Sequence, residues 1–212
     1  MKKQIKKILF IALWLFIIGG LLGFIIETFW YYIKNGTWIN KQGLWYTPLK
    51  PIYGCGLIII TLLLYKRIND NILNIFIYGT LIGSIYEYAT SIFQEYVLNT
   101  YTWTYQSFNF NINGRIYLPY CFIWGIITLL WIKALYPLFI RFIHHIASKK
   151  YIYINYILII FLLYDITLTT IITYRYAHRL ENTSNKILQY VDKHYPDPLI
   201  KQRFPKLRII SK

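Results

Sequence analysis

Five apolar runs, at about residues 8–33, 51–65, 72–98, 116–140 and 151–174, dominate this chain and restrict what it can fold into. Hydrocarbon offers no water to backbone N–H and C=O groups, so a spanning segment must satisfy them internally, as a helix does. About 20 predominantly apolar residues cross a bilayer. Four runs reach that length, and the shorter one ends near Tyr65, where Lys66 and Arg67 can extend to the interface. The expectation is an all-α integral membrane protein with about five transmembrane helices. Hydrophobic residues at 57%, aromatics at 20% and charged residues at only 15% put the composition in the same class.

Inside these runs a pattern occurs twice. Gly19, Gly23 and Glu27 recur 60 residues later as Gly79, Gly83 and Glu87, and Gly54 and Gly114 each lie 27 residues after their glutamate. Self-similarity at a fixed period signals a duplicated unit, here a two-helix hairpin carrying one intramembrane carboxylate per copy. The predicted organisation is a membrane domain over residues 1–150, with repeat units at about 14–65 and 74–137. A fifth transmembrane helix at 151–174 and a basic, partly amphipathic segment at 175–212 follow. Glycines four and eight residues before each glutamate permit close backbone approach. Packing of the two hairpins by their glycine faces would bring the carboxylates together.

Lys2, Lys3, Lys6 and Lys7 precede the first run, which is too long for a signal peptide, contains Glu27 and lacks a small-residue cleavage site. With the N-terminus inside, nine Lys and Arg face the cytoplasm, among them Arg141, Lys149 and Lys150, against Lys34, Lys41, Lys50 and Arg115 outside. This bias predicts a cytoplasmic N-terminus in the cell membrane. The segment after residue 174 argues the other way, since five crossings put its nine basic residues outside. The net charge of +15 is spread over loops and tail beside apolar helices, which points to anionic lipid rather than nucleic acid as partner. Tyr176, Leu180, Ile187 and Val191 approximate one helical face, predicting a surface-lying helix over 175–193 and a mobile end beyond Pro196 and Pro198. Cys55 and Cys121 show no metal or redox spacing, and no cofactor is implied.

Four of the eight acids, Glu27, Glu87, Glu95 and Asp165, lie in apolar segments, where an ionised carboxylate costs about 2.5 to 3.5 kcal/mol even on lenient scales. Ser84, Glu87, Ser91 and Glu95 share one narrow helical stripe. Glu27 and Glu87 are candidate ligand-binding groups; alternatively each accepts hydrogen bonds from a Tyr, a Trp or a loop amide and holds the bundle together. The loops over residues 40–54 and 103–115 are too aromatic to be freely solvated, and suit a cap folded back over the bundle. Asn109, Asn111 and Asn113 can satisfy such a backbone, and Gly114 suits a tight turn. Arg115, alone among bases in its loop, can reach Glu87 or Glu27, grip an anionic ligand in bidentate fashion, or anchor at headgroups. Tyr53, Trp103, Asn111, Asn113, Arg115, Glu27, Glu87 and Glu95 form the candidate binding set; no catalytic residue is evident.

Glu27, the run Pro48-Leu49-Lys50-Pro51-Ile52-Tyr53-Gly54, Glu87-Tyr88 with Glu95, Trp103 and Tyr105, and Asn111-Ile112-Asn113-Gly114-Arg115-Ile116 followed by Trp124-Gly125 resemble the ABC-transporter type IV membrane family over about residues 14–137. That resemblance implies a permease-like membrane protein. Gln42 stands where that family has Arg, Thr47 where it has Gly, and Thr104 where it has an acid. The first functional expectation is a transport component whose paired carboxylates bind a cation, a proton or a substrate amine. With no Gly-x-x-x-x-Gly-Lys-Ser/Thr loop in the chain, ATP hydrolysis would need a separate subunit, and five spans would call for oligomerisation. The second is a small membrane enzyme on lipid or lipid-linked substrates, with Glu27 or Glu87 as general base and Arg115 on a phosphate. The third is a non-catalytic assembly partner.

Overall fold

The computed structural model describes residues 2–210, without the side chains of Lys2, Lys3 and Lys149, so those three members of the charge count lie outside the described residues. The chain is nearly all helical. Helix α1 (Lys2–Asn35) leads through a long loop to α2 (Pro51–Leu64), a 3-10 turn and α3 (Ile72–Leu98). A second long loop carries β1 (Thr100–Tyr101), β2 (Asn111–Ile112) and β3 (Ile116–Tyr117). Then come α4 (Leu118–Leu130), a π-helical turn over Trp131–Leu135, α5 (Tyr136–Ile146), α6 (Ile152–Ala177), α7 (Lys186–His194), α8 (Asp197–Arg203) and β4 (Arg208–Ile209).

Local chemistry sets the boundaries. Pro51 opens α2 at a position whose N–H would be unused. Asn71 caps α3 by accepting from the Leu73 N–H at 2.8 Å, and Asn99 ends it in the left-handed region at φ 52°. Helices α4 and α5 run on as one helix through the π turn, where Tyr136 donates to the Trp131 carbonyl, five residues back. Pro137 next to it has no N–H to continue the ordinary ladder. Inside that turn Lys133 donates from Nζ to the carbonyls of Ile68 and Asp70, both at 2.6 Å, and so caps the α2–α3 connection.

Among the described residues three helices are long and apolar enough to cross a membrane: Gln4–Asn35, Leu118–Ile146 and Ile152–Ala177. The expected count of about five exceeds this. Helix α2 has 14 residues, short of the roughly 20 needed. Helix α3 has 27 residues, but its stripe of Ser84, Glu87, Ser91 and Glu95 dilutes its apolar character.

Helix α1 packs chiefly on α2, and α3 on α4. The glycines serve these contacts within each hairpin rather than a contact between hairpins. A Cβ on Gly23 would overlap the Tyr53 ring, and one on Gly83 would meet Trp124 at 2.5 Å. Gly54 is buried in α2 against Phe16, whereas Gly114 sits in a turn at φ 67°. The two glycines paired by the 27-residue spacing thus occupy unlike local structures. The residue meeting Phe76 on α3 as Gly54 meets Phe16 on α1 is Gly125. Tyr53 and Trp124, seated in the notches of Gly23 and Gly83, stack on each other at 5.8 Å between ring centres and join the hairpins. Around them Leu15, Leu57, Ile60, Ile75 and Trp131 form the main core.

The segment after α6 is docked, in contrast to the expected surface helix and mobile end. Val191 of α7, Ile200 of α8 and Leu207 are buried with Trp45, Ile172 and Tyr176, and β4 pairs antiparallel with β1, Thr100 opposite Ile209. The ion pairs of Arg175 and Arg179 with Asp192, at 2.8 and 2.7 Å, hold the turn into α7. Apolar contact with the first loop, invisible to helical periodicity, is what immobilises this segment.

Candidate functional site

Glu87 is the most enclosed acid of the candidate set, 5% exposed. Its Oε1 accepts from the Tyr105 hydroxyl at 2.9 Å and its Oε2 from the Trp124 indole N–H at 2.8 Å. Among the described residues no Lys, Arg or His side chain pairs with it. Tyr105 belongs to the second loop, which folds back along α3. Burial, reinforced by the Glu87 carboxylate, pushes the Tyr105 phenol well above the ordinary tyrosine range, so it stays a donor. Both oxygens are met, as the hydrogen-bonding alternative anticipated, but by neutral groups only.

Ser91 and Glu95 of the α3 stripe face the same loop, while Ser84 donates back to the Thr80 carbonyl of its own helix. Arg115 pairs with Glu95, donates to Ser91 Oγ at 3.2 Å and lies over the Tyr88 ring. Its guanidinium is therefore directed to Glu95, about two turns beyond Glu87 on α3, rather than to Glu87 or Glu27. Trp103 donates to the Arg115 carbonyl at 3.1 Å. Asn113, at φ 52°, donates to the Tyr88 hydroxyl at 2.9 Å, and Asn111 closes the turn by accepting from the Gly114 N–H at 2.7 Å. Asn111, Asn113 and Trp103 thus shape the loop that brings Tyr105 to Glu87.

Glu27 has the opposite electrostatics. Lys50 and Lys41, from the first loop, both approach its Oε2, at 2.7 and 3.6 Å. The Lys50 N–H also donates to the Gly20 carbonyl at 3.1 Å and ties the loop down on α1. Tyr53, next to the Lys50–Pro51 pair, fills the Gly23 notch below Glu27 and touches Trp124 below Glu87. The two carboxylates are consequently arranged around one aromatic pair, each latched by its own loop.

Asp165 is fully buried and accepts from the Tyr46 N–H at 2.9 Å and from the N–H and hydroxyl of Thr47 at 3.0 Å, so it anchors the first loop to α6. Sequence reasoning missed Tyr105 and Trp124 as donors to Glu87 and Lys41 and Lys50 as partners of Glu27. The Trp124 donor lies 37 residues away on another helix, beyond any local signal; the lysines were visible only as loop charges. Surface grooves of about 400 Å³ along Ile157, Ile160, Phe161 and Tyr164, and of about 510 Å³ beside Tyr176, Lys201 and Arg208, do not reach either glutamate.

A family model described as "Putative ABC-transporter type IV" matches residues 14–170. The chain belongs to this family. The match runs through most of α6, further than the resemblance over 14–137, and brings the Asp165 anchor within the family region. No curated protein and no solved structure matches the chain. The Gln42 side-chain amide oxygen accepts from the Arg203 guanidinium at 3.0 Å, so the docked tail brings an arginine to the first loop, and the Thr47 hydroxyl is a donor to Asp165. The Thr104 hydroxyl accepts from the Gln106 N–H at 3.4 Å.

Proposed function

We propose that the protein is a permease-like membrane component of an ABC-type transporter, resident in the cell membrane with a cytoplasmic N-terminus. In this reading α2 and α3 complete five crossings and the two hairpins are duplicates. The offset of 60 residues between Gly19-Gly23-Glu27 and Gly79-Gly83-Glu87 supports the duplication. So does the matching placement of Gly54 on Phe16 and Gly125 on Phe76. Family membership supports the transporter role. ATP hydrolysis falls to a separate subunit, and a second copy completes the pathway.

The observation that carries the site assignment is Glu87: a buried carboxylate hydrogen-bonded by two neutral donors and held without a basic partner among the described residues. Such a group has charge to offer a cation, a proton or a substrate amine, and loop movement that withdraws Tyr105 would open it. Glu27, already paired to two lysines, positions the other hairpin. The enzyme reading loses its phosphate grip, because Arg115 is engaged by Glu95 and Ser91.

One observation favours the assembly-partner reading: both carboxylates find all their partners within the chain. Purification in mild detergent, with mass spectrometry of co-purifying proteins and lipids, separates the two. Recovery of an ATPase with the native protein, and of folded protein without transport activity for Glu27→Gln with Glu87→Gln, is the expected result. Failure of the double variant to accumulate, with no ATPase bound to the native form, favours a purely structural role.

A further inference from the structure

A cationic cluster surrounds Glu27 that the transport reading does not use. Lys41 and Lys50 share one oxygen of Glu27. Lys206, from the docked tail, approaches the same place: its Nζ lies 5.2 Å from the centre of the Tyr31 ring, and Lys41 Nζ lies 5.1 Å from that ring centre. Lys41 thus joins the two features: with Lys50 it meets the Glu27 carboxylate, and with Lys206 it meets the Tyr31 ring, one turn further along α1. Among the described residues Lys206 has no carboxylate partner, and Arg203 adds a further positive charge next to Lys41, at Gln42. Lys41 and Lys50 are 15% and 16% exposed, so water screens their mutual repulsion poorly.

We propose that the cluster of Lys41, Lys50 and Lys206 against Tyr31 is an anion site that takes a phosphate group, carried by a lipid headgroup or by a soluble phosphate. A single carboxylate leaves about two positive charges uncompensated, which the opposite charge of a phosphate offsets, fully as inorganic phosphate and in part as a phosphodiester. Burial, together with the neighbouring Lys50 and Lys206, pulls Lys41 below the ordinary lysine range against the opposing pull of Glu27. Docking of β4 on β1 holds the tail where Lys206 can contribute, so the site exists only in the full chain. Glu27 competes with the ligand for the lysines. This reading rests on neither Glu87 nor transport.

The test uses the purified full-length protein in detergent and reads the rise in unfolding midpoint with ligand. One arm adds inorganic phosphate against chloride at matched ionic strength. The other adds phosphatidylglycerol against phosphatidylcholine. A rise with phosphate identifies a soluble ligand and a rise with phosphatidylglycerol a headgroup; either supports the site. Lys206→Gln, an exposed position, and Lys41→Gln should each raise the half-maximal ligand concentration about fivefold, and Glu27→Gln should lower it. No rise with either probe overturns the proposal. So does an equal loss in Lys193→Gln, an exposed lysine of α7 outside the cluster, because the effect is then one of bulk charge.

Discussion

Trp124 serves two contacts at once, and its substitutions separate them. The ring fills the space over Gly83, while its N–H holds Glu87. Trp124→Phe keeps a ring in the notch but leaves Glu87 one donor short, and unfolding in detergent should show a loss of about 1–3 kcal/mol. Gly83→Ala instead forces the indole aside, for a loss of about 1–3 kcal/mol. Combining Gly83→Ala with Trp124→Leu should lose less than the sum of the single losses, since the smaller side chain makes room for the new methyl; strict additivity would mean the two residues do not share the contact. At this scale the sequence was most legible for Glu27 and Glu87, because a charge in an apolar run stands out. Their partners were not, because Tyr105, Trp124 and Lys50 come from segments whose approach depends on how the loops fold back.

At the scale of elements, Lys133 shows how a break in helical regularity is used. It sits in the π turn and satisfies two carbonyls of the α2–α3 connection. Lys133→Met should strand both acceptors and loosen that connection, measured as faster tryptic cleavage after Lys66 and Arg67 than in the native protein. The α7 element depends on charge. The Arg175 guanidinium beside Asp192, assisted by Arg179, holds the Asp192 carboxyl below its usual range. A carboxylate depressed in the folded state contributes stability that is complete above the unfolded value of about 4 and lost as pH falls through the lower folded value. Protection of residues 186–194 from hydrogen exchange should therefore hold at neutral pH and fall only below about pH 4; loss near pH 6 would assign the docking to other groups. The helices themselves were readable from apolar runs. The docking of α7 and α8 was not, because its apolar contacts are with Trp45 and Ile172, far away in the chain.

For the whole molecule, the connections α1–α2 and α3–α4 and the tail gather together through the contacts of Lys206 with Tyr31 and of β4 with β1. A spanning α6 predicts that a cysteine at Ser148 and one at Asn185 react with impermeant reagents from opposite sides of intact cells; reaction from the same side would mean that α6 does not cross. The pairing of β4 with β1 also orders events at the ribosome. Synthesis proceeds from the N-terminus, so the helices enter the membrane before residues 208–209 exist to meet Thr100 and Tyr101. A nascent chain stalled short of Arg208 would be inserted with its tail not yet fastened to β1. Pairing of β4 with β1 thus follows insertion of the helices that precede it.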